Sequence, residues 1–491
     1  MTSSTSTLQH LEPKAVWQWF AKFCEIPHPT YHEAELASYI KQACQQRGLR
    51  VEQDAKGNLR ISKPATQGLE QAPVIGLQAH IDMVPQKSDN SHHDFQKDPI
   101  LPRIADGWVS ATETTLGADN GIGACMGLAL LFADDIAHPP LELILTLEEE
   151  TGMGGARALA PEWLDLPYLL NLDTEEEGCL YVGCAGGRDM SFSVDMAPQP
   201  SDPESSPWLI EVSGLQGGHS GLDIHLGLGN ANKILADLLL QWHQEQAFGL
   251  VSLQGGTLRN AIPRAASAVI MPSQQTDISE FRHRFSQLVS KIKHHWHSEK
   301  QLEISLQPNP AVSHYYSAKQ TEQLLQLIHA IPNGVIAESA DFDDVVETSI
   351  SMGVIEHTEH QVRIHCLMRS LLESPKDELC SQLEAIARKY GAQTQVSGDY
   401  PGWQPDAHSV LLKKASHIFK ERLGYEPDIK VVHAGLECGI LKGHAPATDM
   451  ISFGPNIENA HSPRECVEID SVQLNWQLLC DLCLALSKED C

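Results

Sequence analysis

Residues 73–83 read Pro-Val-Ile-Gly-Leu-Gln-Ala-His-Ile-Asp-Met, a largely apolar run that ends in a histidine and an aspartate. A short apolar run of this kind is typical of a strand that is buried on both faces. Residues 141–147 and 168–172 carry similar runs, and residues 120–133, rich in Gly, Ala and Leu, favour a helix between the first two. Strand, helix and strand at this spacing predict an α/β fold with a largely parallel sheet.

The pattern changes after Gly186-Gly187. Residues 196–207 are rich in Pro, Ser and Asp, and from Trp208 to about Val396 alternating strands flank amphipathic helices. The turn-forming segment 398–402 then leads back to the α/β pattern. We therefore predict a discontinuous catalytic domain, over residues 1–187 and 398–491, with an α+β domain inserted over residues 188–397.

The charge and composition of the chain disfavour several classes of function. The chain has 491 residues and a formal net charge of −29, from 64 acidic and 35 basic residues, which disfavours binding to nucleic acid or to an anionic membrane. No apolar stretch reaches the roughly 18 residues of a membrane span, and the polar N-terminus shows no signal peptide. The twelve cysteines then indicate reduced thiols. We expect a soluble, cytoplasmic protein.

The first strand ends in residues suited to metal binding. His80 and Asp82 are two positions apart, so on a strand both side chains face the same side. A histidine ring nitrogen binds zinc at roughly 2.0–2.1 Å, and an aspartate that accepts the other ring N–H fixes the tautomer. The alternative for this segment alone is a solvated strand end.

Three further segments carry carboxylates beside predicted strands or a helix. Asp119 lies among glycines in residues 115–123, where it either binds a metal or caps the following helix. Glu149 and Glu150 belong to a run of three glutamates after the second strand, and three adjacent carboxylates repel one another unless cations or protons intervene. A solvated acidic turn is the alternative for that run. Asp173 follows the third strand.

A distant histidine completes the set. His461 lies in the returning segment, within Asn-Ala-His-Ser-Pro at residues 459–463. Two histidines and three carboxylates suit two divalent cations that share one bridging carboxylate. The ordered combination is therefore more informative than any member, and it predicts a two-metal hydrolase.

This combination resembles the metallopeptidase clan of aminoacylases, carboxypeptidase G and carnosinases, whose sites bind two zinc ions. More narrowly, the chain resembles the bacterial aminoacyl-histidine dipeptidases of the peptidase D type, from about residue 20 to residue 480. The matching segments are residues 26–33 (IPHPTYHE), 77–87 (LQAHIDMVPQK), 114–123 (TTLGADNGIG), 255–264 (GGTLRNAIPR) and 433–439 (HAGLECG).

The resemblance implies a di-zinc peptidase domain with an inserted lid and dimerisation domain. It implies five zinc ligands, which are His80, Asp119, Glu150, Asp173 and His461. It also implies that Co²⁺ or Mn²⁺ can substitute for Zn²⁺. In this assignment Asp119 bridges both ions, Asp82 orients His80, and Glu149 is the general base.

Substrate contacts are expected in the inserted domain. The resemblance assigns His219, in Gly-Gly-His-Ser-Gly at residues 217–221, to the developing oxyanion, and Asn260 to a polar contact with substrate. Arg369 is our candidate for the free C-terminal carboxylate, because a guanidinium can bind it in a bidentate manner. The expected substrate is an Xaa-His dipeptide, including carnosine, and the expected assembly is a homodimer through the lid.

Other functions remain open at this point. Ser220 follows His219, but the motif is not a G-x-S-x-G elbow of a serine hydrolase. A non-enzymatic module that binds metal or amino acids would not need Glu149. A tripeptidase or an acyl-amino-acid deacylase of the same clan is the nearest alternative.

Overall fold

The computed structural model describes residues 7–202, 206–273, 276–340, 342 and 344–488. The chain divides into two compact units. Unit 1 contains Met1–Cys184, Trp403–Val431 and Leu436–Cys491, and unit 2 contains Ala185–Gly402 and Val432–Gly435. Strands and helices are numbered along the whole chain. No helix in the described ranges is both long enough and apolar enough to cross a membrane.

Unit 1 is built on an eight-stranded sheet. Its strands lie in the order β1 (Arg50–Gln53), β2 (Leu59–Lys63), β6 (Leu141–Thr146), β3 (Ile75–His80), β7 (Tyr168–Asn171), β23 (Asp449–Ser452), β8 (Cys179–Cys184) and β22 (Asp428–Val432). The central strands β6, β3, β7 and β23 pair in parallel. Every residue of β3 is buried, which explains why the run is apolar on both faces.

The helices described in unit 1 are α1 (Lys14–Glu25), α2 (Ala34–Gln46), α3 (Ala118–Phe132), α4 (Gly154–Ala158), α9 (Val410–Leu423), α10 (Glu437–His444) and α11 (Ile469–Leu486), with a 3-10 turn at Pro161–Leu164. A small antiparallel sheet contains β24 (Ile457–Glu458), β25 (Cys466–Glu468), β5 (Trp108–Ala111) and β4 (Pro102–Ala105). Helix α3 packs closely on its neighbours because it is rich in glycine. A Cβ atom on Gly127 would lie 2.6 Å from Leu143, and one on Gly121 would lie 3.2 Å from Phe20.

Unit 2 is built on one antiparallel sheet. Its strands lie in the order β16 (Glu303–Pro308), β11 (Trp208–Ser213), β15 (Ala266–Pro272), β13 (Phe248–Gly255), β19 (Val346–Thr358), β20 (Gln361–Ser370), β9 (Gly186–Asp195) and β21 (Gln393–Tyr400), with β18 (Gly334–Glu338) paired to β19. Its helices are α5 (Ala231–Glu245), α6 (Ile278–His295), α7 (Ala318–Ala330) and α8 (Glu373–Tyr390), with a 3-10 turn at Ile224–Leu226. Two short pairs join β10 (Gln199–Pro200) to β17 (His314–Tyr315) and β12 (Gly218–His219) to β14 (Ala261–Ile262).

The same topology occurs twice in unit 2. The inner module runs β11, α5, β13, β15, α6 and β16, and the outer module runs β9, α7, β19, β20, α8 and β21. In each module the fourth, first, third and second strands lie in that order across the sheet. The inner module is inserted after the first strand of the outer one. Their strands pair at Gly255 and Ile355, and helices α5 and α7 also pack on each other.

The strand pairings of the sheet show where unit 2 begins and ends along the chain. The predicted boundary at 187/188 falls inside β9, whose Gly186 and Gly187 pair with β20. The predicted boundary at 397/398 falls inside β21, which continues through an irregular register to Tyr400. The turn-forming segment 398–402 predicted a boundary, but residues 398–400 form the irregular end of β21, which is an edge strand of the sheet. Residues 432–435, which the prediction placed with the catalytic domain, group with unit 2.

Candidate metal centre

The metal ligands proposed from the sequence all lie in unit 1, at strand or helix ends. His80 is the last residue of β3, Asp173 follows β7 by two residues, and Glu150 follows β6 by four. The carboxyl ends of parallel strands meet at one edge of a sheet, which is where α/β folds assemble sites. Asp119 lies in the first turn of α3, and His461 follows β24 with a φ of 59°.

Asp119 is the centre of this cluster. Its Oδ1 lies 3.3 Å from His80 Nε2, and its Oδ2 lies 3.1 Å from His461 Nε2. On one side, His80 Nε2 is also 3.5 Å from Asp173 Oδ1. On the other side, His461 Nε2 is 3.0 Å from Glu150 Oε2. The structure therefore brings all five side chains together, with two of them on each side of Asp119.

The glycines around Asp119 allow this approach. Gly117 adopts a φ of +74°, a backbone conformation that side chains disfavour. A Cβ on Gly123 would lie 2.2 Å from the Leu172 carbonyl oxygen, so only glycine fits there. The Asn120 Nδ2 donates to that carbonyl at 2.7 Å. These contacts hold the first turn of α3 against the residue that precedes Asp173.

Asp82 is buried, and its carboxylate accepts hydrogen bonds from the backbone of the acidic turn that contains Glu149 and Glu150. Its Oδ1 accepts the Glu149 N–H at 3.0 Å, and its Oδ2 accepts the Glu150 N–H at 3.3 Å and the Thr30 hydroxyl at 2.9 Å. His80 Nδ1 lies 3.3 Å from Asp82 Oδ1 and 3.1 Å from the Asp82 carbonyl oxygen. Asp82 therefore contacts both the first histidine and the backbone of the two glutamates.

The electrostatics of the cluster show an excess of negative charge. Burial raises the pKa of Asp173 and of Glu149 well above the usual values, and neighbouring carboxylates add to the shift. Hydrogen bonds to Asp119 and Glu150 raise the pKa of His461 to about 11. Burial lowers the pKa of His80, but nearby aspartates, with Asp173 first, raise it well above its usual value. A site with these shifts is stabilised by added positive charge.

The donor set fits divalent cations. The candidate ligand atoms of His80, Asp119 and Glu150 all lie within 4.8 Å of one another. Glu150 Oε1 and Asp173 Oδ1 are buried and have no hydrogen-bond partner among the described residues. Because a buried polar atom without a partner is costly, these oxygens favour a ligand that the protein itself does not supply. Imidazole nitrogen and carboxylate oxygen are both zinc donors.

Glu465 also supports the site, although no sequence pattern points to it. Its carboxylate accepts four consecutive backbone N–H groups, at 2.8 Å from Leu116, 3.2 Å from Gly117, 2.7 Å from Ala118 and 3.3 Å from Asp119. Burial raises its pKa to about 7, while these hydrogen bonds oppose the shift. Because 346 residues separate Glu465 from Asp119, no local pattern connects them.

A second missed carboxylate, Glu437, lies on the same sheet face as His80. Its Oε2 accepts from Gln78 Nε2 at 2.6 Å and from Thr146 Oγ1 at 2.7 Å. Gln78 is two residues before His80, and Thr146 pairs directly with His80. The segment 433–439 supported the family resemblance, but nothing in it assigned a role to Glu437.

The predicted substrate-binding residues lie in unit 2. His219 Nδ1 accepts the Gly221 N–H at 3.2 Å and the Leu222 N–H at 2.9 Å, which leaves the ring proton on Nε2. The Asn260 carbonyl accepts an N–H from Ser220, the residue after His219, at 2.8 Å. Arg369 lies on β20 and is buried.

Comparison with known proteins supports a peptidase. A family model described as peptidase family M20/M25/M40 matches residues 76–485. The chain is 44% identical over 478 residues to the cytosol non-specific dipeptidase of Escherichia coli (strain K12), which covers 97% of this chain and 98% of the relative.

Solved structures agree in fold. The aminoacylhistidine dipeptidase of Vibrio alginolyticus has a TM-score of 0.93 and 40% identity, and each chain is covered completely. The aminopeptidase PepT of Bacillus cereus has a TM-score of 0.62 at 17% identity, covers 97% of this chain and 100% of its own, and shows only a shared fold. These matches confirm the family resemblance predicted from the sequence. The chain belongs to peptidase family M20/M25/M40.

Proposed function

We propose that this peptidase is a zinc-dependent dipeptidase that hydrolyses Xaa-His dipeptides, including β-alanyl-histidine (carnosine). The observation that carries the proposal is the arrangement around Asp119, whose two carboxylate oxygens face His80 and His461 respectively. Two relatives matched over nearly their full length, from E. coli and V. alginolyticus, are named as dipeptidases.

We assign the ligands as two sets that share Asp119. His80 and Asp173 would hold one ion, and Glu150 and His461 would hold the other. Two divalent cations in such a site lower the pKa of water and polarise the carbonyl oxygen of the scissile amide. The imidazole and carboxylate donors suit Zn²⁺, and the same donors also accept Co²⁺ or Mn²⁺.

Glu149 is the proposed general base. Its backbone is held by Asp82, while its own carboxylate has a raised pKa from burial and is outside the ligand set. It takes a proton from the attacking water as the new C–O bond forms. It then gives that proton to the leaving amine as the C–N bond breaks, so that the carboxylate is regenerated.

The residues of unit 2 are proposed to bind the rest of the substrate. With its proton on Nε2, His219 is a neutral donor suited to a developing oxyanion. Asn260 offers an amide, and Arg369 offers a guanidinium for the C-terminal carboxylate. A serine mechanism gains no support, because the His219 Nδ1 is occupied by backbone N–H groups and the Ser220 Oγ has no hydrogen-bond partner in the described chain.

A second candidate is a broader peptidase of the same family. The E. coli relative is named non-specific, so dipeptides without histidine, or tripeptides, are the nearest alternatives. We also propose a cytoplasmic location, which the name of that relative supports, and a homodimer formed through unit 2.

The proposal is tested with a substrate panel and defined metals. Protein stripped with a chelator is reconstituted with Zn²⁺, Mn²⁺ or Co²⁺ and assayed on β-alanyl-histidine, other Xaa-His dipeptides, Xaa-Ala dipeptides, tripeptides and N-acyl amino acids. The expected result is fastest turnover of Xaa-His dipeptides, lost on chelation and restored by zinc. Activity that survives exhaustive chelation, or preference for acylated amino acids, would contradict the proposal.

A further inference from the structure

The segment that leads into His219 has little rigidity of its own. Residues 214–218 read Gly-Leu-Gln-Gly-Gly, and Gly214 and Gly217 adopt φ angles of +75° and +65°. Glycine has the largest conformational freedom of any residue, so a segment of this composition keeps one conformation only when other groups hold it. The position of His219 within unit 2 therefore depends on the side chains around this segment.

The His219 ring is fixed to the turn that follows it. Its Nδ1 accepts the N–H groups of Gly221 and Leu222, and its own N–H donates to Asp223 Oδ2 at 2.7 Å. These bonds stay intact if the whole turn moves, because all of their partners lie within residues 219–223. The place of His219 Nε2 is therefore set by the contacts that hold the turn and the preceding segment against the rest of unit 2. The short pairing of β12 with β14 is one such contact.

Glu299 supplies a second contact, at the segment before His219. It lies just after α6 and is 7% exposed. Its Oε2 accepts the Gln216 N–H at 2.9 Å, and its Oε1 accepts the Gly229 N–H at 2.8 Å. Hydrogen bonds from N–H groups to a carboxylate are among the stronger ones in proteins. A single buried carboxylate thus joins the segment before His219 to the residues that precede α5.

Arg264 restrains the same residue from the other side. Its Nε donates to the Gln216 carbonyl oxygen at 2.8 Å. A Cβ atom on Gly217 would lie 2.4 Å from Arg264 Cγ, so the segment passes directly over this side chain. Gln216 is therefore bound at both its N–H and its carbonyl group, and it anchors the glycine-rich segment three residues before His219.

We propose that Glu299 is a positioning residue for His219, whose carboxylate, through Gln216, sets where His219 Nε2 is presented to the developing oxyanion of the substrate. This inference rests on the proposed dipeptidase function, in which His219 is the oxyanion donor. Such a donor acts mainly in the transition state, so its misplacement lowers kcat more than it changes KM. The effect is large because a displacement of about 1 Å can cost about 100-fold in rate.

A double-mutant cycle separates positioning from general stabilisation of unit 2. The four proteins are wild type, Glu299→Gln, His219→Ala and the double variant, assayed zinc-loaded on β-alanyl-histidine. In Glu299→Gln one oxygen becomes an NH₂ group, so one of the two N–H groups loses its acceptor. We expect this change to lower kcat about 10- to 100-fold, with little change in KM, when His219 is present. When His219 is absent, the same change is expected to lower kcat less than about twofold.

Glu303→Gln is the matched control. Glu303 is exposed on β16 and pairs with Ser213, just before the segment. It is expected to keep the kcat of its parent in both backgrounds. Equal fold losses from Glu299→Gln in the two backgrounds, an unchanged kcat in Glu299→Gln, or an equal loss in Glu303→Gln would overturn the inference.

Misfolding is distinguished from misplacement by the zinc content and thermal unfolding of each variant. If Glu299→Gln does not fold, Glu299→Asp takes its place, because it keeps the charge but is one CH₂ group too short to reach both N–H groups. The expected result is the same: a loss of kcat that depends on the presence of His219. A loss that is equal in both backgrounds overturns the inference for this variant too.

A failure of the proposed function gives a different result from a failure of this inference. If wild type hydrolyses no dipeptide with any metal, or if His219→Ala keeps wild-type kcat, the proposed function or the role of His219 is wrong. The positioning is then read from NMR of protein labelled with ¹⁵N in histidine, where the His219 signals are those missing from His219→Ala. A shift of these signals in Glu299→Gln but not in Glu303→Gln supports the inference. Signals that stay unchanged, or that shift equally in both variants, overturn it.

Discussion

Replacing Glu465 by Gln tests how the chain positions the residue at the centre of the metal site. Each carboxylate oxygen of Glu465 accepts two backbone N–H groups, one at short and one at longer distance, from residues 116–119. In the glutamine variant one oxygen becomes an NH₂ group, so two of the four buried donors lose their acceptor. At about 1–3 kcal/mol for each unsatisfied buried donor, the free energy of unfolding is expected to fall by about 2–6 kcal/mol.

The variant is also expected to bind zinc about 10- to 100-fold more weakly, because outer hydrogen bonds that orient ligands typically contribute that much. Both quantities are measured, by urea unfolding and by competition with a chelator. Glu468→Gln is the matched control, since Glu468 is the last residue of β25, the strand that begins directly after Glu465, and it accepts one hydrogen bond from Asn456 at 2.7 Å. Equal stability and equal zinc affinity of the two variants would refute the positioning role of Glu465.

Three further predictions concern the base, the substrate and pH. Glu149→Ala is expected to keep both metal ions and to lose about 10²- to 10⁴-fold in kcat; loss of zinc or near wild-type kinetics would contradict its role as base. Arg369→Ala is expected to raise KM for dipeptides with a free C-terminus and to leave C-terminally amidated ones unchanged; equal effects on both would remove the carboxylate role. His357 lies on β19, and burial lowers its pKa to about 4. Between about pH 6.5 and pH 4 the unfolded chain therefore binds more protons at this histidine than the folded chain does, so the free energy of unfolding falls as the pH falls through this range. Between pH 7 and pH 5 the wild type is expected to lose about 1–2 kcal/mol more unfolding free energy than His357→Gln, and parallel pH profiles in urea unfolding would disprove this.

Much of unit 1 was predictable because its signals are local. The strand that ends at His80 is buried on both faces, so its sequence is a continuous apolar run. The glycines around Asp119 are readable because close backbone approach and positive φ exclude other residues. Acidic residues that follow buried strands are also visible without knowledge of the fold.

The supporting residues were not predictable because their partners are distant in sequence. Glu465 and Glu437 each lie in segments with no distinctive pattern, and their hydrogen bonds join positions separated by hundreds of residues. The internal duplication of unit 2 was hidden because the inner module interrupts the outer one after its first strand, so the two copies do not follow one another in sequence.

The central claim is that five side chains hold two cations around Asp119. Anomalous diffraction at the zinc edge, from crystals of zinc-loaded protein, tests it most directly. Two peaks roughly 3.5–4 Å apart are expected, one on each side of the Asp119 carboxylate, with His80 and Asp173 at one and Glu150 and His461 at the other. A single peak, or peaks that leave Asp119 without a metal, would contradict the account.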